Sequence, residues 1–174
     1  MNQERWFAVY TRPRWEKKVT DQLKRKKIEF YCPQNRISSR WNDRKKNVSE
    51  PLFSSFVFVY LSEEEQKTAM QVNGVVNFVY WLNKPVVVPN EEIDTIKKFL
   101  FEYSNVKVER TSVSQLENVR IIDGPVITRK GNLLEVKNTT VKAILPSLGQ
   151  VLLADVRGNA ETVSTYSDET VLSV

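Results

Sequence analysis

The stretch WFAVYTRPRWEKKV at residues 6–19 predicts the first strand and the first helix of the fold. Residues 6–10 are apolar on both faces, which is typical of a central buried strand. Pro13 stands where a helix can begin, because proline is tolerated in the first turn. Beyond it an apolar stripe recurs at helical spacing, at Trp15, Val19 and Leu23. The chain therefore opens with a strand joined directly to an amphipathic helix.

The same alternation of strand and helix continues to residue 103. Strands are predicted over residues 28–33, 53–61 and 75–81. Ser62 and Glu65 form a capping box that predicts a helix through about Met70. A further helix is predicted from Asn90, with apolar positions at Ile93, Ile96 and Leu100. Its Glu91-Glu92 pair resembles a catalytic pair, but carboxylates in a first turn are better explained by the helix dipole.

The last third of the chain has a different pattern. Four of the five glycines follow residue 120, and short apolar runs recur every 8–12 residues with turn signals between them. These turn signals are Asp123-Gly124-Pro125, Asn138-Thr139-Thr140 and Pro146-Ser147-Leu148-Gly149. We predict an α+β protein with a domain of alternating strands and helices over 1–103, a polar linker over 104–115 and a small antiparallel β-barrel over 116–174.

Composition excludes several classes of function. The chain has no histidine and one cysteine, Cys32, so it lacks Ser–His or Cys–His catalysis, an internal disulfide and a thiolate zinc site. Glycines do not cluster into a phosphate-binding loop. The longest apolar run, Phe56 to Leu61, is far too short for a membrane span, and MNQERW lacks the apolar core of a signal peptide. We expect a cytoplasmic binding protein, with no enzymatic activity, cofactor, metal or membrane partner.

Positive charge is concentrated near the start of the chain. Residues 5–46 contain 14 Lys/Arg and 4 Asp/Glu, a net charge of +10, whereas residues 47–174 contain 12 Lys/Arg and 16 Asp/Glu, a net charge of −4. Residues 35–50 alone read as a basic loop or long hairpin turning at Asn42-Asp43. Such asymmetry favours a polyanionic partner, and nucleic acid before a membrane surface. A solvated lysine-rich face is the simpler alternative.

The order of these motifs resembles the NusG-type transcription elongation factors. That family's N-terminal domain, an antiparallel sheet flanked by helices, is similar to three segments of this chain: WFAVYTRPRWEKKV, SEPLFSSFVFVYL and NGVVNFVYWLNKPVVVPNEEI. The family's C-terminal domain, an SH3-like β-barrel that carries the KOW motif, is similar to two later segments, VRIIDGPVITRKGNLLEV and KAILPSLGQVLLADV. The VSEPLF and LPSLGQ segments look closest to the specialised RfaH-like and capsule-locus (UpxY-type) antiterminators. One departure is Ser54-Ser55, where the family has Pro-Gly or Pro-Asn.

The resemblance implies a set of RNA polymerase contacts. Family members bind the clamp helices of the polymerase β′ subunit through an apolar depression. Carried over by motif, this depression comprises Tyr10, Leu52, Phe53 and Phe56, with Phe78 and Trp81 at its rim. From the residues alone Phe53 could equally be core, and the resemblance favours the interface. Phe58 and Val59 are interpreted as core.

The resemblance also implies a nucleic-acid face. In RfaH-like proteins the end of the first strand and the start of the first helix face the non-template DNA strand, which here assigns Arg12, Arg14, Lys17 and Lys18. Trp15 fits the helix stripe, and stacking on a base is the alternative. A contact with the polymerase β subunit would fall at Gln66-Lys67-Thr68, a poor match to the family's tract.

Two questions about the C-terminal part follow from the resemblance. The barrel would contact the ribosome or a termination factor, although only Gly131 keeps the family's glycine position there. An RfaH-like helical hairpin is the alternative conformation, and we predict strands because Pro and Gly interrupt any helical stripe. The competing function is a stand-alone RNA-binding protein that uses the barrel, as ribosomal KOW proteins do; the acidic charge of this half argues against it.

Overall fold

The structure is a computed structural model that describes residues 3–41, 44–110, 126–129, 132–137 and 140–155. The chain forms two compact units. One comprises Met1–Gln34 and Pro51–Ile93, and the other comprises Asn35–Glu50 and Asp94–Val174. The first unit carries every residue predicted to bind a partner.

The first unit is built on a five-stranded antiparallel sheet. Its order is β2 (Glu29–Tyr31), β5 (Phe56–Leu61), β1 (Arg5–Thr11) and β6 (Val75–Phe78), and β9 (Val87–Val88) also pairs with β1. β1 and β5 pair along six residues, from Arg5 opposite Leu61 to Tyr10 opposite Phe56. The prediction that the first strand is central is confirmed, which explains why it is apolar on both faces.

Two helices cover one face of this sheet. These are α1 (Glu16–Arg25) and α2 (Gln66–Met70), and the core between them and the sheet is made by Phe7, Val9, Val19, Leu23, Ile28, Val57, Val59, Leu61, Ala69, Val72 and Phe78. We call this side the helix-covered face. The predicted helical stripe is confirmed, since Val19 and Leu23 are buried and Trp15 packs against the same cluster.

The opposite side of the sheet is rich in aromatic residues, and we call it the aromatic face. Because side chains alternate along a strand, it carries Trp6, Ala8 and Tyr10 from β1 and Phe56, Phe58 and Tyr60 from β5. The predicted strand over 53–61 begins only at Phe56, because Ser55 adopts a left-handed φ of 60° that breaks the extended backbone before it.

The predicted capping box at Ser62 and Glu65 is only half formed, and the helix starts later than predicted. One carboxylate oxygen of Glu65 accepts hydrogen bonds from the Ser62 backbone N (2.9 Å) and hydroxyl (3.0 Å). A turn follows, and α2 begins at Gln66. The contact between Ser62 and Glu65 therefore lies in the turn before α2 and does not define the first residue of the helix.

Two hairpins extend from the strands. β3 (Gln34–Trp41) and β4 (Arg44–Pro51) form the predicted long basic hairpin; its turn residues Asn42 and Asp43 lie outside the described residues. β7 (Tyr80–Trp81) and β8 (Lys84–Pro85) form a second, shorter hairpin. The predicted strand over 75–81 is therefore two strands, β6 and β7, with Val79 between them. The Val79 N–H donates a hydrogen bond to the Ala8 carbonyl, and the Val79 carbonyl accepts one from the Val86 N–H.

The helix predicted from Asn90 is α3 (Asn90–Glu102), and its predicted apolar positions are buried. At its end, the Arg36 guanidinium donates hydrogen bonds to the carbonyls of Leu100 (3.1 Å) and Phe101 (3.0 Å). Those carbonyls have no partner within the helix, so the arginine satisfies them. The buried Asn35 side chain pairs with both backbone groups of Val106, at 2.8 and 3.1 Å.

The C-terminal part forms a five-stranded antiparallel sheet. Its order is β10 (Lys107–Arg110), β14 (Gln150–Asp155), β13 (Thr140–Leu145), β12 (Asn132–Lys137) and β11 (Val126–Arg129). A 3₁₀ turn at Pro146–Leu148 ends at Gly149 with φ 59°, as the turn signal there predicts. The described residues of this part are strands, not a helical hairpin.

Within the predicted linker over 104–115, the structure forms one strand. Four of the linker residues form β10, because Val108 and its neighbours find unpaired backbone partners along β14. Closure of this sheet into a barrel stays a prediction, as do the domain boundaries. The predicted turn at Asp123-Gly124-Pro125 lies outside the described residues.

Candidate functional site

The basic residues assigned to nucleic acid lie around a tight turn between β1 and α1. Trp15 N donates a hydrogen bond to the Arg12 carbonyl (3.0 Å). Pro13 occupies the second position of this turn, and Arg14 occupies the third with a φ of 63°. That is the pattern of a type II turn, whose third position usually favours glycine. An arginine is held there in an uncommon backbone conformation.

All four predicted nucleic-acid residues are exposed and close in sequence: Arg12, Arg14, Lys17 and Lys18. The one acidic residue among them, Glu16, is buried. Its carboxylate accepts a 2.6 Å hydrogen bond from the Ser55 backbone N–H. The negative charge of this segment is thus committed to the protein interior, and the exposed side chains at the turn are cationic.

Trp15 occupies the centre of this basic group. The Arg12 Cζ lies 5.3 Å from the centroid of the Trp15 ring, and the Lys18 Nζ lies 4.6 Å from it. Both distances are within the range of cation–π attraction. The ring also lies against Gly74 (φ 101°), where a Cβ atom would approach Trp15 Cε3 to 2.7 Å. No side chain fits at Gly74 without displacing the indole.

The aromatic face supplies the second predicted surface. Tyr10 is 46% exposed, and its ring makes an edge contact with Phe56 at a centroid distance of 5.8 Å. Behind it, Phe56 contacts Phe53 (5.5 Å) and Phe58 (5.2 Å). Tyr31 stacks on Phe58 at 6.2 Å. These rings form a continuous packed row that ends at the surface with Tyr10.

The structure brings only part of the predicted polymerase-binding set to the surface. Leu52, Phe53 and Phe56 are buried, and Phe53 is 5% exposed because it packs against Phe56 and Phe58. The placement of Phe78 at a rim is wrong: its side chain lies in the core of the helix-covered face, 6.0 Å from the Phe7 ring. Phe58 and Val59 are core, as predicted.

Trp81 lies on the short β7–β8 hairpin and is 64% exposed. Its neighbour Leu82 is 82% exposed and has a φ of 49°, and Asn83 follows with a φ of 62°. Two consecutive left-handed residues form the type I′ turn typical of two-residue hairpins. Sequence reasoning missed Leu82; the asparagine before Lys84 was the available turn signal.

The single thiol of the chain is not a reactive site. The pKa of Cys32 is raised to about 11, mainly by burial and also by the negative charge of Glu16, while the hydrogen bond from Gln34 lowers it. Burial likewise raises the pKa of its neighbour Tyr31 to about 12. Both groups therefore stay protonated at neutral pH.

The described part of the chain carries neither a membrane-spanning helix nor a cluster of metal ligands. Within it, no helix is both long and apolar enough to cross a membrane. Among the same residues, no group of three or more carboxylate or thiol side chains is arranged to hold a metal ion.

Comparison with known proteins gives consistent matches. A family model described as "Transcription termination factor nusG" matches residues 4–97. The chain is 24% identical over 165 residues to the "Transcription termination/antitermination protein NusG" of Streptococcus pyogenes serotypes M1 and M3, with 87% of this chain and 91% of that protein covered. A solved structure, "Domain interaction in Thermotoga maritima NusG", is 18% identical with a TM-score of 0.49, covering 88% of this chain and 94% of the other.

Proposed function

The chain belongs to the NusG family, and we propose that it acts as a transcription elongation and antitermination factor that binds RNA polymerase and the non-template DNA strand. One observation carries the proposal. The family match spans residues 4–97, and that range contains both the exposed cations around Trp15 and the aromatic row that ends at Tyr10.

The polymerase contact is proposed to centre on the exposed aromatic side chains. Tyr10 offers a large apolar ring whose orientation is fixed by Phe56 beneath it. Trp81, on the short β7–β8 hairpin, is a second exposed aromatic side chain. Fixed aromatic side chains dominate binding energies because they bury much area at little entropic cost. The clamp helices of the β′ subunit are the proposed partner; Phe53 and Phe56 support Tyr10 rather than touch the polymerase.

The nucleic-acid contact is proposed at the β1–α1 turn. Arg12, Arg14, Lys17 and Lys18 are exposed, and the only carboxylate between them is buried. Contacts from such side chains go to phosphates, which position a protein without reading bases. A factor held on the polymerase by its aromatic surface would thereby also hold the neighbouring DNA strand.

The mechanism requires no covalent chemistry. A protein that binds the closed, elongating polymerase more tightly than the paused one shifts the population toward elongation by its differential affinity. We place this chain with the locus-specific, capsule-type members because of its VSEPLF and LPSLGQ segments. The C-terminal sheet is then the part proposed to contact the ribosome or a termination factor.

The test is co-purification followed by transcription in vitro. The tagged full-length chain should bring down RNA polymerase subunits and shorten pauses on a template from its own locus. Trp81→Glu should reduce both effects. The matched control is Phe101→Glu, which alters an even more exposed aromatic residue (83%) outside the proposed surface and should leave both unchanged. Recovery of ribosomal RNA without polymerase would overturn the proposal in favour of a stand-alone RNA-binding protein.

A further inference from the structure

The Trp15 indole contacts two of the four cations assigned to DNA, and this arrangement follows from local geometry. The Arg12–Trp15 turn brings Arg12 beside the indole through the 3.0 Å backbone hydrogen bond. Lys18 lies three residues after Trp15, a spacing that places side chains on the same side of a helix. The Arg12 Cζ and Lys18 Nζ are within about 10 Å of each other, since both lie near one ring centroid.

The ring itself is fixed from behind. Trp15 packs against the core cluster of the helix-covered face. Gly74 lies directly against the ring: a Cβ atom at this position would be 2.7 Å from Trp15 Cε3. The same Cβ atom would be 2.9 Å from a methyl carbon of Val19. A ring in contact with the core and with a backbone segment has little freedom to rotate. Cations attracted to its face therefore inherit a defined position.

We propose that Trp15 is a positioning residue for nucleic-acid binding: its ring holds the Arg12 guanidinium and the Lys18 ammonium in place for phosphate contacts, and it does not stack on a base. This inference rests on the proposed function, because it assumes that these cations meet DNA. Long basic side chains lose rotamer freedom when they bind, and a side chain that is already held loses less. The ring thus contributes affinity without touching the ligand.

Base stacking is disfavoured by the same contacts. A stacking platform needs a free aromatic face, as in single-strand binding proteins where each base lies on a ring. Here the Trp15 ring is partly buried, lies against Gly74, and has two cationic groups within 5.3 Å of its centroid. A base could lie on this ring only after displacing cations that the phosphates themselves attract.

The experiment measures binding of the full-length chain to a single-stranded DNA oligonucleotide by fluorescence anisotropy over a range of salt concentrations. Trp15→Leu keeps an apolar side chain against Gly74 and keeps every charge. We expect its affinity at fixed salt to fall about three- to tenfold, with an unchanged slope of log K against log salt. The affinity of Trp15→Phe should be intermediate between those of wild type and Trp15→Leu, because a phenylalanine ring attracts cations more weakly than an indole.

A second arm distinguishes positioning from stacking and from failure of the proposed function. Wild type should bind an oligonucleotide with abasic sites as tightly as the intact one; a preference for intact bases that Trp15→Leu abolishes would overturn the inference. Wild-type affinity in a folded Trp15→Leu variant would also overturn it. The double variant Arg12→Gln/Lys18→Gln should flatten the salt slope by roughly 1.4, at about 0.7 per charge. If that slope does not change, the nucleic-acid assignment fails first and the inference fails with it.

Discussion

The two faces of the first sheet are built from the same strands and are made for different purposes. The helix-covered face is mainly aliphatic and is closed by α1 and α2 of the same chain, so that Val9, Val19 and Leu23 are fully buried. The aromatic face is lined by rings from β1 and β5, and Tyr10 at its end is half exposed. Both faces are largely buried, but only the aromatic face ends in a half-exposed ring, that of Tyr10.

This difference shows how one sheet separates stability from recognition. Aliphatic side chains pack densely under helices and gain most of their free energy from exclusion of water. Aromatic rings add large area with few rotamers, and a ring at the end of a packed row is already oriented for a partner. The proposed surface therefore depends on buried rings that never reach the partner.

The largest effect on stability is expected on the helix-covered face. Leu23→Ala should lower the free energy of unfolding by about 2–5 kcal/mol, because Leu23 is 0% exposed and its removal leaves a cavity beneath α1. Urea unfolding monitored by tryptophan fluorescence measures it. Lys24→Ala, on the exposed side of the same helix, is the control and should change stability by no more than about 0.5 kcal/mol. A loss below about 1 kcal/mol for Leu23→Ala would contradict this view of the core.

The thiol of Cys32 reports on the same face. With its pKa raised to about 11 from an ordinary 9.0, it should react with an alkylating reagent at pH 8 roughly 100-fold more slowly than an ordinary thiol. The rate should rise about tenfold per pH unit and level off near pH 11. Glu16→Gln should accelerate the reaction, because removal of the carboxylate charge lowers the pKa.

The same shift predicts a pH dependence of stability. Because the Cys32 pKa is higher in the folded than in the unfolded chain, the unfolded chain loses its proton first as the pH rises. The contribution of the protonated thiol to the free energy of unfolding should therefore be fully present below about pH 9 and be lost between about pH 9 and 11. Tyr31 should extend this loss toward pH 12. Flat stability across pH 9–11 would show that Cys32 is solvated.

The aromatic face should respond in binding rather than in folding. Tyr10→Glu should weaken polymerase binding by about 2 kcal/mol or more, roughly 30-fold, because it places a charge at the centre of the proposed contact. Its melting temperature should change little, since the side chain is half exposed. Phe53→Glu is the counterpart and should unfold the protein, because Phe53 is buried against Phe56 and Phe58. If both variants fold and both lose binding, the division between the two roles is wrong.

The smallest effect concerns the turn before β5. Ser55 has a φ of 60°, a conformation that glycine adopts without strain. Ser55→Gly should raise the free energy of unfolding by about 0.5–1 kcal/mol, and its backbone hydrogen bond to Glu16 should remain. Ser54→Gly is the matched control and should give no gain, because the only change there is a more flexible unfolded chain. A loss of stability in Ser55→Gly would mean that its hydroxyl makes a necessary contact.

Much of the fold was predictable from the sequence. The apolar run at residues 6–10 predicted the central strand, and the stripe at Val19 and Leu23 predicted the buried side of α1. Both signals are local periodicities, which depend only on helix and strand geometry. Residues 35–50 were predicted as a basic loop or long hairpin, from the turn signal at Asn42-Asp43. The strand β10 was not, because residues 107–110 are mostly polar and exposed and pair with β14, which is distant in sequence.

The candidate site was predictable only in part. The sequence identified the cations, but their relation to Trp15 arises from a turn that brings Arg12 back over the indole. Phe78 carries the same aromatic signal as Tyr10, yet it faces the helices because it pairs with Val9 on the other side of the pleat. Aromatic character alone does not indicate which face a strand residue occupies.

The sequence by itself determined the order of elements, the basic character of the first quarter and the absence of histidine-dependent chemistry, because these depend on composition and on spacing along the chain. Tertiary structure decided which aromatic rings are exposed, which carboxylate is buried, and which backbone segment the Trp15 ring lies against. Those outcomes depend on contacts between residues far apart in sequence, such as Glu16 with Ser55 and Trp15 with Gly74. Such contacts form only when the sheet is assembled, since the strands that bring them together are separated by other elements.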